Sequence, residues 1–387
     1  MTIGLARLRL TLAASIMLIP VMARAEIAVS ANDNKAILEN GVTKTAANPQ
    51  PDTVAIIDLS AAPPKLLAEI AAPASVVGPP GSVAIAPDES LALVTAAMKV
   101  DPGDPTKTVP DDRLTVIDLK SSPPRIVQTV TVGKGAAGVS INRSGTLGLV
   151  ANRSEGTVSV LSIAGGKVTE TEKIKLGDEK SGPSQPIFSR DGATALVTRD
   201  GDHKISVLSV AGDKIEYTKR DINAGLRPYQ IDSAGAGDVA IVANIGIGQG
   251  DADTISLIDL KAKPPRVVNT VSVGQTPEGL KMSPDGQHVA VTVMNGSNKP
   301  KHSPFYADNG LVRIYRVLGH ELTQVAEAPV GHWCQGAAWS KDGKSLLVQC
   351  MVEKEILAFK FEGGKSLERL GSIRTNGGPA GIRTAEP

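Results

Sequence analysis

The stretch Leu257-Ile258-Asp259-Leu260-Lys261-Ala262-Lys263-Pro264-Pro265-Arg266 decides how this chain is read. Its first half is a short apolar strand carrying one acid. Its second half is a turn, because proline lacks the N–H that a strand ladder would use. The same unit recurs as Ile56-Ile57-Asp58-Leu59 with Ala62-Pro63-Pro64-Lys65, and as Val116-Ile117-Asp118-Leu119 with Ser122-Pro123-Pro124-Arg125. Looser copies of the tetrapeptide are Val160-Leu161-Ser162-Ile163, Val207-Leu208-Ser209-Val210, Ile314-Tyr315-Arg316-Val317 and Ala358-Phe359-Lys360-Phe361. The third positions of these seven lie 60, 44, 47, 50, 57 and 44 residues apart.

Two further apolar strands precede most copies, separated by a tight turn: Pro87-Asp88-Glu89-Ser90, Arg143-Ser144-Gly145, Arg190-Asp191-Gly192, Pro284-Asp285-Gly286 and Lys341-Asp342-Gly343. Asp-Gly supplies the positive φ that a tight hairpin requires. Four strands per unit at a period near 50 is the pattern of a propeller blade. A lone four-stranded sheet buries neither face, and radial stacking buries both. The expected fold is an all-β, seven-bladed β-propeller with four antiparallel strands per blade, in one domain from residue 26 onward. Two segments suit the closing blade. Ile27-Ala28-Val29-Ser30, with Asn32-Asp33-Asn34 and Ala36-Ile37-Leu38, matches Val83-Ala84-Ile85-Ala86 and its hairpin. Gly377-Gly378-Pro379-Ala380-Gly381-Ile382 also reads as a first strand.

Composition agrees with this reading. Of 387 residues, 41% are hydrophobic and 21% charged, enough for a core and too apolar for disorder. Aromatics are 3%, so the core must be Val, Ile, Leu and Ala. The formal charge is +1, and Arg7, Arg9 and Arg24 of the first 25 residues tip it positive. A near-neutral chain poor in aromatics is no dedicated nucleic-acid binder. Residues 1–25 read as a cleaved secretory signal: Arg7 and Arg9, an apolar run from Leu10 to Met22, then Ala23-Arg24-Ala25 before Glu26. A periplasmic or secreted protein, monomeric and without stable membrane insertion, is expected.

Leu149-Val150-Ala151-Asn152 followed by Gly156-Thr157-Val158-Ser159-Val160 resembles the repeat of bacterial YVTN-type β-propellers, as does Thr276-Pro277-Glu278-Gly279 through Ser283-Pro284-Asp285-Gly286. The likeness spans nearly the whole chain after residue 25. It departs where Tyr would open the second strand, since Leu91, Leu147, Ala195 and Val289 stand there. The resemblance implies a fold shared by lactonase-like hydrolases, surface antigens and redox-partner domains.

Antiparallel pairing sends the loops before the first strand and between the second and third to one face. That face collects the long loops Gly41–Asp52, Ala97–Asp112, Asn244–Asp253 and Met294–Asn309, and functional groups favour loops on a rigid scaffold. Residues leading into the innermost strands should ring the channel there: Gln185, Arg227, Tyr229, Glu278, His332, Trp333 and Gln335, with Arg153 and Arg199 at second-strand ends. Three arginines among Tyr, Trp and His suit a carboxylate or phosphate. In a lactonase-like reaction, His332 or Glu278 would be the general base, and Arg227 or Arg199 would stabilise the oxyanion.

Other chemistry finds less support. His203, His288, His302, His320 and His332 lack metal-ligand spacing, and no metal or cofactor is expected. No Cys-x-x-Cys-His exists for haem, and no G-x-S-x-G for a serine nucleophile. Asp101, Asp104, Asp111 and Asp112, like Asp251 and Asp253, read as solvated loop acids. Gly246-x-Gly248-x-Gly250 reads as a flexible loop. Cys334 and Cys350 flank a hairpin whose register brings them within one residue of each other, and an exported protein meets an oxidising compartment, so a disulfide is expected. Without a diagnostic catalytic constellation, the expected function is a binding or scaffold protein of the cell envelope, presenting its long-loop face to a partner protein or small anionic ligand. A lactonase-like hydrolase working at the channel mouth is the alternative, and a docking platform for a redox enzyme a third.

Overall fold

The computed structural model describes residues 26–233 and 238–386. The signal-peptide reading falls on residues 1–25, outside those described. Seven four-stranded antiparallel sheets form a ring. Blade 1 runs from the axis outward as Gly378–Thr384, Ile27–Asp33, Thr53–Asp58 and Lys65–Ala71. Blade 2 is Val83–Ile85, Leu91–Thr95, Arg113–Asp118 and Arg125–Thr131. Blade 3 is Ala136–Ile141, Leu147–Asn152, Thr157–Ala164 and Lys167–Lys175; blade 4 is Pro183–Phe188, Thr194–Arg199, Lys204–Ala211 and Lys214–Ile222. Blade 5 is Pro228–Ser233, Val239–Asn244, Asp253–Asp259 and Arg266–Gly274; blade 6 is Pro277–Met282, His288–Val293, Leu311–Leu318 and Glu321–Pro329. Blade 7 is Cys334–Trp339, Ser345–Cys350, Glu355–Glu362 and Ser366–Arg374. Each of the seven tetrapeptides lies in or at the end of a third strand.

Both candidate closing segments enter blade 1. Ala28 pairs with Thr384 on one side and with Ile57 on the other. Ile27–Asp33 is therefore a second strand and not, as its likeness to Val83–Ala86 suggests, a first one. Ala36–Leu38 does not follow it in the blade. It leaves as a separate hairpin, Ala36–Glu39 with Val42–Thr45. A second hairpin, Met98–Asp101 with Asp104–Pro110, stands in the long loop of blade 2.

Apolar burial lies between blades. Ala290, Val312 and Ile314 of blade 6 pack on Ala337, Trp339, Leu346 and Val348 of blade 7. Ala28, Ile57 and Ile382 of blade 1 pack on Ala338, Leu347 and Ile356, so the same contact closes the ring. Second strands such as Leu91–Thr95 are wholly buried, whereas outermost strands such as Arg125–Thr131 are partly exposed. In every blade a bulge interrupts the pairing of the outer two strands, which increases local twist. Gly145, Gly192, Gly286 and Gly343 take positive φ in the inner hairpin turns, and Glu89 takes that role in blade 2 at φ 55.

Cys334 and Cys350 form a disulfide across the inner hairpin of blade 7, with Cα atoms 4.0 Å apart. They are direct partners, one residue away from the register expected by counting back from the turn. A bulge between Cys334 and Ala337 absorbs the difference. Among the described residues no helix is long and apolar enough to cross a membrane.

Candidate functional site at the channel mouth

One local device aims side chains at the axis. In blades 3 to 7 the residue before the innermost strand has positive φ: Gly135, Gly182, Arg227, Thr276 and Trp333. Its carbonyl receives the N–H of the residue just past the second strand: Arg153, Asp200, Ile245, Met294 and Met351 respectively. A bulge then follows within the first residues of each innermost strand. The residue at that bulge is Ala137, Ser184, Tyr229, Glu278 or Gln335, and its counterparts in blades 1 and 2 are Ala380 and Gly81. Threonines on second strands lock the arrangement by reaching the next blade: Thr95 donates to the Ala137 carbonyl, Thr198 to that of Tyr229 at 2.6 Å and Thr292 to that of Gln335. The polar members thus gather on blades 4 to 7 and the small ones on blades 1 to 3. Arg227, Thr276 and Trp333 hold left-handed conformations without being glycine, and backbone strain of this kind gathers at functional sites.

Asp200 is the hub of the mouth. It is 2% exposed. It accepts from Arg153 at 2.6 and 2.9 Å, from Arg227 at 2.9 Å and from the Ser184 hydroxyl at 2.9 Å. Burial opposes its charge, but Arg153, Arg227 and Ser184 more than offset that and hold Asp200 below the usual carboxylate range. The Arg153 guanidinium lies 5.5 Å from the centroid of the Tyr229 ring. Two arginines share one carboxylate, so the cluster keeps a net positive charge.

Glu278 faces this cluster from blade 6. Its carboxylate accepts from Gln335 Nε2 at 3.0 Å and from the Trp333 side chain. The residue is partly open to the channel, yet protein surrounds the carboxyl. Burial pushes its pKa up to about 7, because the bonds from Trp333 and Gln335 and the attraction of Arg227 and Arg153 offset only part of the desolvation. Trp333 packs with Val76, Met294, Met351 and Ala380, and Ala36 and Leu38 of the blade 1 hairpin cover that cluster. At the hairpin tip, Gly41 approaches Pro300 so closely that a Cβ would stand 2.4 Å from its ring. One side of the mouth is thereby roofed.

The structure brings Arg153, Arg227, Tyr229, Glu278, Trp333 and Gln335 together. Gln185 sits deeper, against Gly81 and Gly138. His332 stands at the rim, its Nδ1 2.6 Å from Glu353 Oε1 and its backbone N–H directed at the same carboxylate. Arg199 does not join. It donates to the Leu176 carbonyl at 2.6 Å and pairs with Asp202 and Asp221 at 3.1 and 2.9 Å, away from the axis. The last residue of a second strand points between blades and the next one points at the mouth. Asn152 and Asn244 occupy the same position as Arg199 and likewise bind the inter-blade linker. Asp200, Ser184 and Glu353 were not among the sequence candidates, although alternation along the strand would have marked Asp200 as the counterpart of Arg153.

Two loop acids are not solvated. Asp111 is fully buried and bidentate to Arg113, and Asp253 accepts the Thr276 N–H at 2.9 Å. Among the described residues no group of three His, Cys, Asp or Glu could hold a metal.

No protein-family model matches the sequence, and no curated protein matches it. Solved structures do. A Bacteroides uniformis protein proposed to be a 6-phosphogluconolactonase aligns at 16% identity over 93% of this chain and all of its own, with a TM-score of 0.71. A periplasmic gluconolactonase of Pseudomonas aeruginosa aligns at 16% identity over 94% of this chain and all of its own, at 0.65. Hydrazine synthase of Kuenenia stuttgartiensis aligns at 20% identity over 74% of this chain and 78% of its own, at 0.58. The likeness is one of fold: this is a seven-bladed β-propeller of the architecture found in lactonase-like propeller proteins.

Proposed function

We propose that the protein hydrolyses a lactone at the long-loop mouth of its channel. The observation that carries this reading is Glu278: an enclosed carboxyl with a pKa near 7, facing Arg153, Arg227 and Tyr229. A general base works best when its pKa lies near the working pH. Glu278 removes a proton from water as the oxygen attacks the lactone carbonyl. The Arg153–Arg227 pair stabilises the developing oxyanion and, after the ring C–O bond breaks, the product carboxylate. The freed alkoxide takes the proton held on Glu278. The product carboxylic acid releases its own proton to solvent and becomes the carboxylate that the arginines hold.

Purified protein assayed on a panel of sugar lactones tests this, with the gluconolactonase among the similar structures choosing the first substrates. Glu278→Gln should lower kcat at least about 100-fold, in line with loss of a general base. In the parent, kcat/KM should fall as pH drops below about 7, because the protonated carboxyl cannot act as base. Arg199→Gln, which touches only the inter-blade contacts, should leave kcat unchanged. No turnover on any lactone, or full activity in Glu278→Gln, would overturn the proposal.

A binding role is the second reading, favoured by the exposed apolar side chains Ile37, Val42, Val77, Ile247, Phe305 and Val352, all on loops or hairpins of the same face. Export to the periplasm or beyond is supported by the disulfide and by residues 1–25. N-terminal sequencing of the protein made in a bacterial host should begin at Glu26.

A further inference from the structure

The chain has four tyrosines, and three of them spend their hydroxyls on a neighbour. Tyr217 donates to Asp221 at 2.6 Å, Tyr315 to Gln324 Oε1 at 3.4 Å, and Tyr306 bonds Asp308. Tyr229 differs. It is 6% exposed, yet its hydroxyl has no hydrogen-bond partner among the described residues. Its oxygen is not sealed by protein as those of the Gln185 and Gln335 amides are, so it opens on the channel. The proposed reaction gives this buried, unpartnered donor no role.

The backbone fixes where that hydroxyl stands. Tyr229 lies at the bulge of the innermost strand of blade 5, as Glu278 does in blade 6. On one side, the Arg227 carbonyl receives the Ile245 N–H at 3.1 Å, and the Arg227 N–H donates to His203 Nδ1 at 3.2 Å. On the other, the Tyr229 carbonyl accepts from Thr198. The side chain is thereby held between the Asp200 cluster and Glu278. Arg153 is the charge that acts most strongly on the hydroxyl, ahead of Glu278, Asp200 and Arg227. Burial raises the phenol above its ordinary pKa, so the oxygen keeps its proton and remains a donor. The two arginines are less free. Arg153 spends Nη1 and Nη2 on Asp200 and Ser184, and Arg227 spends Nη2 on Asp200, with the Gly246 carbonyl 3.5 Å from its Nη1. They supply charge, and Tyr229 supplies an O–H with nothing bound to it.

We propose that the Tyr229 hydroxyl is the directional donor of the mouth, given to the carbonyl oxygen of the bound lactone and then to the carboxylate of its product. As a catalytic residue it rests on the hydrolase reading, to which it adds a third group at the oxyanion. No proton changes hands at this oxygen. Tyr229 keeps its O–H while the carbonyl oxygen gains charge, and the arginines balance that charge. A donor set in place beforehand holds an oxyanion more strongly than a neutral carbonyl, so its effect falls on kcat and not on KM.

Tyr229→Phe keeps the ring beside Arg153 and removes only the O–H. On a lactone that the parent turns over, kcat should fall about 100-fold, as for loss of one oxyanion donor, while KM stays within about twofold. The fall of kcat/KM below pH 7 should keep its midpoint, which belongs to Glu278. A tyrosine that only packs would move Tm or KM instead. Unchanged kcat, or a loss carried by KM, overturns the proposal. A second measurement needs no turnover. Protein labelled with 13Cζ-tyrosine gives one resonance for each of the four tyrosines, and Tyr229→Phe removes the one sought. Should that variant not fold, Tyr217→Phe, Tyr306→Phe and Tyr315→Phe identify it by elimination. Gluconate is added up to about 50 mM, since small ligands bind weakly. It should shift the Tyr229 resonance, leave the other three in place, and bind Tyr229→Phe about tenfold more weakly. A shift at another tyrosine alone, or at none, overturns the proposal. If no lactone were turned over while gluconate still moved Tyr229, the hydrolase reading would fall and the donor to a bound carboxylate would stand.

Discussion

A single step along a strand separates a structural arginine from a mouth-facing one. Arg199 and Asp200 are neighbours, yet Arg199 stitches blade 4 to the linker from blade 3 while Asp200 gathers two arginines at the mouth. Side chains on a strand alternate between faces, so the error of one position in reading Arg199 moved it to the wrong side. Glu278 shows the cost of burying a carboxyl at the channel. Its pKa is raised from the ordinary 4.5 to about 7, so the folded protein binds more protons than the unfolded chain between those values. The stability linked to its protonated form is present below about 4.5 and is lost as pH rises toward 7. Glu278→Gln should therefore raise Tm by about 2 °C at pH 8 and have no such effect near pH 4, as measured by calorimetry. A variant less stable than the parent at pH 8 would show that burial is not what raises this carboxyl.

At the scale of the element, the recurring unit is the left-handed residue, the bulge and the side chain it aims. Glycine fills the first position in blades 3 and 4, where a Cβ on Gly182 would come 2.8 Å from Asp200 Oδ1. Arg227, Thr276 and Trp333 fill it in blades 5 to 7, and two of these three side chains belong to the site. Thr276 spends its backbone N–H on Asp253 and its conformation on presenting Glu278 two residues on. The disulfide secures the last of these units. Its 16-residue separation corresponds to about 3 kcal/mol of loop entropy removed from the unfolded chain. The Cys334→Ser, Cys350→Ser double variant should lose about that much in guanidinium denaturation, and an unchanged midpoint would sink the estimate. The intact mass of unreduced protein should likewise show no alkylatable thiol.

For the whole molecule, closure is shared by both chain ends. The innermost strand of blade 1 comes from the C-terminus and its neighbour from the N-terminus, with Ile382 and Ala28 in the same apolar cluster as blade 7. Deleting residues 377–387 should expose the Ile27–Asp33 ladder to the channel, remove Glu386 from Lys281 and open the ring where blades 7 and 1 meet. The truncated protein should aggregate or lose its single cooperative transition, as read by size exclusion and by calorimetry. A monomer with an unaltered transition would mean that the C-terminal strand is dispensable. The two mouths differ in the same global way. Long loops and the Asp200 cluster mark one, and tight turns, Arg383 and the C-terminal tail mark the other.

The repeat made the seven blades legible in the sequence, because each third strand is an apolar tetrapeptide and each inner hairpin carries its own turn residues. The pairing of Cys334 with Cys350 followed from the same local counting to within one residue, and the bulge accounts for that residue. Most of the mouth was legible too, since Arg227, Tyr229, Glu278, Trp333 and Gln335 all stand beside an innermost strand. What only the tertiary structure decided are contacts between blades distant in sequence. Asp200 joins Arg153 to Arg227, Gln185 reaches Gly81, and Lys281 meets Glu386 across 105 positions. Hydrogen bonding and hydrophobic periodicity act within a blade and leave their trace in neighbouring residues. The channel is formed by closing the ring, so the identity of its facing side chains depends on geometry that no local stretch contains.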